Sequence, residues 1–529
     1  MMKKLFHGFL ADRTQSRIQM LLILGIVIVT NVLVSRLIIR FDLTENQQYT
    51  LSQASKELAV QINDPISVKA YFSADLPPQL AMTQQEFKNF LDEFRVWSGG
   101  NLEYEFVNPN ESEQTEQQAQ QAQIQPLLID VRERDQVSQK RAYLGAVFKF
   151  GDKTEVIPLI QPGAAMEYNI ASTVKKLIIE AKPKIGLLTG HGEVPRAEMV
   201  QLMNELEQMY EVVDVASADT AAISPELEAL LIVRPEQQLP EQALVNIDQY
   251  VMSGGKLIAA LNRVGVNLQM GQAKLQDTGL ERLLAAYKLP VNGDLVRDVQ
   301  ANTITVRQQQ GPFSFLNQIR YPYIPVISSF GEHPVASGLE ALSFQFVSSI
   351  DVTLADSTQK VSVLAKSSEK AGTERGYFNI DPFRQWVEAD FTEKNLVLAA
   401  ISEGTFTSAF ATDTVVAVAR TTSSPTAVVV FGDGDFVTNG PQGQQQQQQP
   451  QDNIAVLINA VDYLADDTGL ISLRTKGVSA RPLDVLEDGT KTTLKYLNVL
   501  LPIVLVMVYG AVRYQRRTAR RRRWAEQGV

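Results

Sequence analysis

The chain contains no cysteine in its 529 residues. That absence excludes disulfides, cysteine-ligated zinc, iron–sulfur clusters and every thiol nucleophile, and it suits an exported domain in an oxidising compartment. Histidine is nearly as scarce. His7, His191 and His333 are the only three, too scattered to point to a zinc enzyme. No GxxxxGK[ST] phosphate loop occurs, so the chain does not itself hydrolyse ATP. No GxSxG elbow marks it as a serine hydrolase. Long apolar runs are confined to two stretches, one near each end.

Charge is unevenly spread. The formal net charge is −10, but residues 1–17 sum to +3 and residues 513–529 to +6, leaving −19 for residues 18–512. A body this acidic repels nucleic-acid phosphates and anionic lipid, so the basic ends read as membrane-flanking tails. Residues 18–39 are long enough, at about 1.5 Å per residue, to span a hydrocarbon core of about 30 Å. No small-x-small cleavage site follows, which favours a retained anchor over a cleaved signal peptide. Thr30, Asn31 and Ser35 within it suit packing against another helix. Residues 494–512 make a second candidate span in which Pro502 and Gly510 are tolerable. The arginine-rich run of residues 513–523 follows directly. The positive-inside rule puts both termini in the cytoplasm and leaves residues 41–490 on the non-cytoplasmic side of the membrane.

The body opens with a helix capped by Ser52 and a strand alternating from Pro65 to Phe72. A helix follows in which Phe87, Phe90, Leu91, Phe94 and Trp97 recur at three- and four-residue spacing, a core-facing stripe. It ends at Gly99-Gly100; Gly151-Asp152 then marks a hairpin turn. Residues 41–181 form a membrane-proximal α/β domain on this reading. Residues 183–470 form a second, in which KIGLLTGHGE, VVDVA, LEALLIVRP and KLIAALN alternate with helices. That alternation predicts a mostly parallel sheet with helices on both faces. Residues 270–289 read as helical, about 290–420 as a β-rich insertion, and 471–493 as a linker to the second span.

Two strand-to-helix turns carry candidate chemistry. Gly190-His191-Gly192-Glu193 stands at the carboxyl end of a strand, where open α/β sheets bind ligands. His191 and Glu193 suit binding or proton transfer there; the plainer reading has the glycines making the turn and the polar side chains capping the helix. Asp433 and Asp435, in GDGDF, place two carboxylates together. They lack the further ligands of a calcium loop, and Asx turns account for them without metal. No catalytic residue, cofactor or metal is expected.

RFDLTENQQYTLSQAS (40–55), PKIGLLTGHGEVP (183–195), NGDLVRDV (292–299), HPVASGL (333–339) and VVVFGDGDF with NIAVLINAVDYL (428–436, 453–464) resemble, in that order, the GldG family of gliding-motility-type auxiliary components of ABC transport systems. The resemblance implies a central domain similar to class I glutamine amidotransferases and to the N-terminal domain of an intraflagellar-transport protein. It implies a separately encoded permease and cytoplasmic ATPase as partners, and no catalysis, because the amidotransferase nucleophile is a cysteine. The expectation is a non-catalytic subunit of an ABC-2-type transporter whose outer domain binds substrate or an envelope polymer or protein. A glycan-binding scaffold or hydrolase working without a transporter, centred on His191, Glu193, Asp433 and Asp435, is the alternative.

Overall fold

The computed structural model describes residues 50–465 and 488–526, together with Leu22, Ile23 and Gly25. Excepted within the first range are 134–135, 161–164, 180, 217, 269, 311–312, 355–357, 414–417 and 442–445. The chain divides into two compact units, Met1–Val478 and Ser479–Val529.

The first helix, α1 (Gln53–Val60), starts where Ser52 Oγ accepts the amide of Ser55 at 3.1 Å. This satisfies one of the donors a helix start leaves unpaired. Strand β1 (Ile66–Phe72), helix α2 (Pro78–Trp97) and strand β2 (Leu102–Val107) follow. Then come α3 (Glu113–Gln121), a hairpin of Leu127–Glu133 with Gln136–Ala142, β3 (Leu144–Phe150), β4 (Lys153–Ile157) and α4 (Ala165–Ile178). The sheet order is β2-β1-β3-β4. Alternate residues Ile66, Val68 and Ala70 are buried against Phe87, Phe90, Leu91 and Phe94 of α2 and Ile170, Val174 and Leu177 of α4. The period-two strand meets the helical stripe there. Trp97 departs from the expectation: it is 45% exposed, with Lys56 Nζ 5.3 Å from its ring. The stripe leaves the core in the last turn, just before Gly99 and Gly100 take positive φ.

The larger sheet uses β5 (Lys184–Leu188), β6 (Glu211–Val215), β7 (Leu227–Val233), β8 (Lys256–Ala260), β9 (Gln359–Lys366), β10 (Val397–Gly404) and β11 (Thr426–Phe431). Its order is β6-β5-β7-β8-β11-β10-β9, with Ser329–Phe330 at the far edge. From β6 to β11 neighbours are parallel; β10, β9 and the edge piece are antiparallel. Helices α5 (Val200–Met209), α6 (Glu241–Met252), α7 (Leu280–Ala286) and α8 (Gln451–Ala465) complete this part. Leu202 and Leu206 of α5 and Leu457 and Val461 of α8 share a core with Ile185, Leu231 and Val429. Ile247 and Val251 of α6 and Leu283 of α7 share another with Leu230, Leu257 and Val428. Every residue of β11 is buried, as a central strand covered on both faces requires.

Three expectations are corrected. The fold is mixed α/β, not mostly parallel. Past β8 strands pair mostly as antiparallel neighbours, in a tight hairpin for Ala301–Gln310 with Phe313–Ile327 and across a long connection for Asp294–Asp298 with Ala371–Arg375. Residues 270–289 are not one helix: Val264–Asn267 and Gln272–Leu275 form a hairpin and only Leu280–Ala286 is helical. Finally, among the described residues no helix is long and apolar enough to cross a membrane, so the expected pair of membrane anchors is not shown. The 39-residue helix α9 (Asp488–Glu526) forms most of the second unit. Residues 18–39, with Thr30, Asn31 and Ser35, lie outside the described residues but for three helical positions. Gly510 is exposed.

Phe94 and Trp97 stand one turn apart on α2 yet differ in burial. Phe94→Ala is expected to cost about 3–5 kcal/mol and Trp97→Ala well under half of that, measured by chemical denaturation. Equal costs would contradict this core.

Candidate functional site

Within the parallel part, the chain runs from β5 outward to β6, then returns to place β7 on the other side of β5. The order reverses between β5 and β7, so their carboxyl ends flank a crevice where ligands favour binding. The turn after β5 carries His191 and Glu193, both buried. His191 Nδ1 is 3.1 Å from Glu193 Oε1 and Nε2 is 2.8 Å from Asp219 Oδ1, while Glu193 Oε2 accepts the His191 amide at 2.6 Å. Both ring nitrogens therefore face carboxylate oxygens. The His191 carbonyl accepts the amides of Glu236 (3.1 Å) and Gln237 (2.9 Å), which stitches this turn to the one after β7. Gly192 has φ +78, and a Cβ there would stand 3.1 Å from that of Glu236. Two turns meet closely because one lacks a side chain.

The second pair follows β11. Asp433 is fully buried; its Oδ1 accepts the amide of Asp435 and its Oδ2 that of Gln345, each at 2.6 Å. Burial, and then the charge of Asp435, push the Asp433 carboxyl well above its ordinary 3.8, against the pull of those two amides and of Arg234. Asp435 is held from both sides: Arg234 Nη1 donates to Oδ1 and Asn262 Nδ2 to Oδ2, each at 2.5 Å. Asn262 Oδ1 also accepts the Gly434 amide at 2.6 Å. Arg234, directly after β7, lies in the left-handed region at φ +48, an uncommon conformation for a residue with a side chain. A Cβ on Gly434 would lie 2.7 Å from the Cβ of Arg234 and 2.9 Å from the Ala260 carbonyl oxygen. Glycine here lets the β11 turn lie against the ends of β7 and β8.

Above these ends opens a cleft of about 450 Å³. Arg234, Glu236, Asn262, Asn267, Gln276, Gln345 and Asp435 give it polar walls, and Phe346 with Val264, Val266 and Leu268 an apolar side. Of the four residues expected from sequence, only Asp435 lines it. His191 and Glu193 lie in the neighbouring turn, joined to the cleft through residues 234–237, and Asp433 sits beneath its floor. Sequence reasoning missed Arg234, Asn262 and Asp219. A signal for the first two exists: each is the first polar residue after an apolar strand (LEALLIV-Arg234; KLIAAL-Asn262). His333 is structural. Its Nδ1 accepts the Val335 amide at 3.3 Å and its ring stands edge-on to Tyr463. Among the described residues no group of three or more histidines and carboxylates is placed to hold a metal.

A profile of the family described as ABC-type uncharacterized transport system matches residues 182–464, from the residues just before β5 to nearly the end of α8. That is more than half of the chain. The chain belongs to this family, of auxiliary components of ABC-type transport systems. Residues 45–149 match a domain of unknown function. A protein of Borreliella burgdorferi described as uncharacterized is 22% identical over 506 residues, covering 92% of this chain and 94% of its own. A solved structure, the mmIFT52 N-terminal domain, is 13% identical with a TM-score of 0.32, covering 53% of this chain and 97% of that one.

The sign of the Asp433 effect is fixed by its direction. With the folded pKa above the unfolded one, the folded state holds the proton more firmly, so this contribution is complete below the ordinary carboxylate range and is lost as pH rises through the raised value. Chemical denaturation at a series of pH values is expected to show stability falling over that window in the unaltered chain and a smaller fall in Asp433→Asn. An identical slope in the two would contradict the assignment.

Proposed function

We propose that this chain serves its transport system as a non-catalytic, GldG-type binding subunit, with an amidotransferase-like α/β body that captures a polar substrate or envelope component in the cleft above β7, β8 and β11. The observation that carries this reading is that the carboxyl groups of Asp433 and Asp435 and the ring of His191 are already engaged. Both oxygens of Asp435 accept short hydrogen bonds, both nitrogens of His191 face carboxylates, and Asp433 accepts two backbone amides. A general base must have a lone pair within reach of a substrate proton; an engaged network instead makes a rigid wall on which exposed amides recognise a ligand. Asn267, exposed, and the half-buried Gln276 and Gln345 bring side-chain amides to the walls of the cleft. His191, Glu193, Asp433 and Asp435 then act by holding the turns that shape the cleft.

Family membership supports partnership with an ABC transporter. We infer a multi-span permease and a cytoplasmic ATPase as its partners, with the α/β body on the periplasmic side of the inner membrane, held there by the permease. The acidic, cysteine-free composition supports that placement.

Purification of the tagged chain from detergent-solubilised membranes is expected to bring down a multi-span permease and an ABC ATPase. Asn267→Ala with Gln276→Ala is expected to leave that complex assembled and lower transport at least tenfold. A solitary chain, or transport unaffected by the cleft variant, would overturn the reading.

A further inference from the structure

Among the described residues, the longest paired strands form an arm that the larger sheet does not use. Ala301–Gln310 runs antiparallel to Phe313–Ile327, and from Thr303/Arg320 onward the ladder continues without a register break. Beyond that point, among the described residues, strand 303–308 has no backbone ladder except to its own hairpin partner. A two-stranded ribbon is marginal in water by itself, and an open edge is a template for another strand. Proteins usually blunt such edges with proline, bulges or lysine. Residues 303–308 (TITVRQ) contain no proline and no lysine, and their register has no bulge.

The two faces of the arm differ. Opposed residues in an antiparallel pair share a face, so Ile304 with Ile319 and Val306 with Asn317 lie on one, and Thr303 with Arg320, Thr305 with Gln318 and Arg307 with Leu316 on the other. Leu316 is 69% exposed. The arm's only charges are Arg307 and Arg320, in a chain of net −10.

We propose that this arm is a self-association device: strand 303–308 pairs antiparallel with the same strand of a second copy, about a two-fold axis at Thr305, giving a continuous four-stranded ribbon. The register follows from side-chain complementarity. Centred on Thr305, each Ile304 faces the other copy's Val306, Thr305 faces its equivalent, and Arg307 faces Thr303. Two β-branched pairs and a threonine pair are favourable cross-strand neighbours, and no like charges oppose each other. A C2 contact of this kind is self-complementary by construction. Addition of a strand needs an extended backbone with unpaired amides and carbonyls on the partner. The second copy supplies one; the bilayer-embedded part of a permease, with its backbone satisfied internally, does not.

The cysteine-free chain makes the test direct. In the full-length protein, a single Thr305→Cys substitution puts two thiols opposite one another across the axis, within reach of a disulfide. Mild oxidation is expected to trap most of it as a covalent dimer, whereas Gln318→Cys, on the other strand of the arm, stays largely uncrosslinked. Sedimentation velocity is expected to show a dimer for the unaltered chain and a shift toward monomer for Val306→Lys, with an unchanged circular dichroism spectrum. A monomer at every concentration, or equal trapping at both cysteine positions, overturns the proposal. So does a monomer whose flotation with phosphatidylglycerol vesicles depends on Arg307 and Arg320, since the arm then contacts lipid.

Discussion

The body of this protein is closed by one late strand. β8 ends at Ala260 and β11 begins at Thr426, yet the two lie side by side, Leu257 opposite Val428 and Ala260 opposite Phe431. On its other edge β11 pairs β10 from Ala399/Phe431 to Gly404/Thr426. Without β11 the parallel strands end in an open edge at β8 and the antiparallel strands in another at β10. Such a long-range pairing carries a loop-closure cost before any contact repays it. The repayment is burial on both faces: Val428 and Val430 enter one core, Val429 and Phe431 the other. The family match starts just before β5 and ends in α8, which packs over the strand β11 completes.

The same strand assembles the cleft. As β11 leaves the sheet it delivers Asp433 and Asp435 to the ends of β7 and β8, where Arg234 and Asn262 take hold of Asp435. Arg234 accepts a left-handed backbone, and Gly434 gives up a side chain so that the turns can approach. Buried charges persist when each is paired and hydrogen-bonded, and Asp435 meets that condition between Arg234 and Asn262. Its rigidity suits a binding wall better than a proton-transfer centre. The Gln-rich segment joins the same architecture, since Gln447 and Gln449 donate their amides to the Asn439 carbonyl and to Gln201 Oε1, tying residues 446–449 near the start of α5.

Much of this was legible in the sequence because the local signals were strong. The Ser52 cap, the alternating β1, the turn glycines and the apolar strands β5, β7, β8 and β11 each follow from period, turn chemistry or burial, and the structure places them where those signals point. The failures have physical causes. Trp97 obeys the helical spacing but falls beyond the core, because period says which face a residue is on and not where the neighbouring sheet ends. Residues 270–289 are apolar enough for a helix, yet Gly271 at φ +61 turns the chain into a hairpin. The anchors were inferred from apolar length, and among the described residues no helix is long and apolar enough to cross a membrane. The site was half legible: the strand-end carboxylates stood out, whereas Arg234 and Asn262 matter through contacts made by pairing strands distant in sequence.

Native-state hydrogen exchange across β5, β7, β8 and β11 tests the closing-strand account most directly. If β11 locks the sheet, the amides of β8 and β11 exchange only through a shared global opening, with equal free energies and equal sensitivity to denaturant. β11 exchanging through a separate, lower-energy opening while β5, β7 and β8 keep their full protection would contradict it.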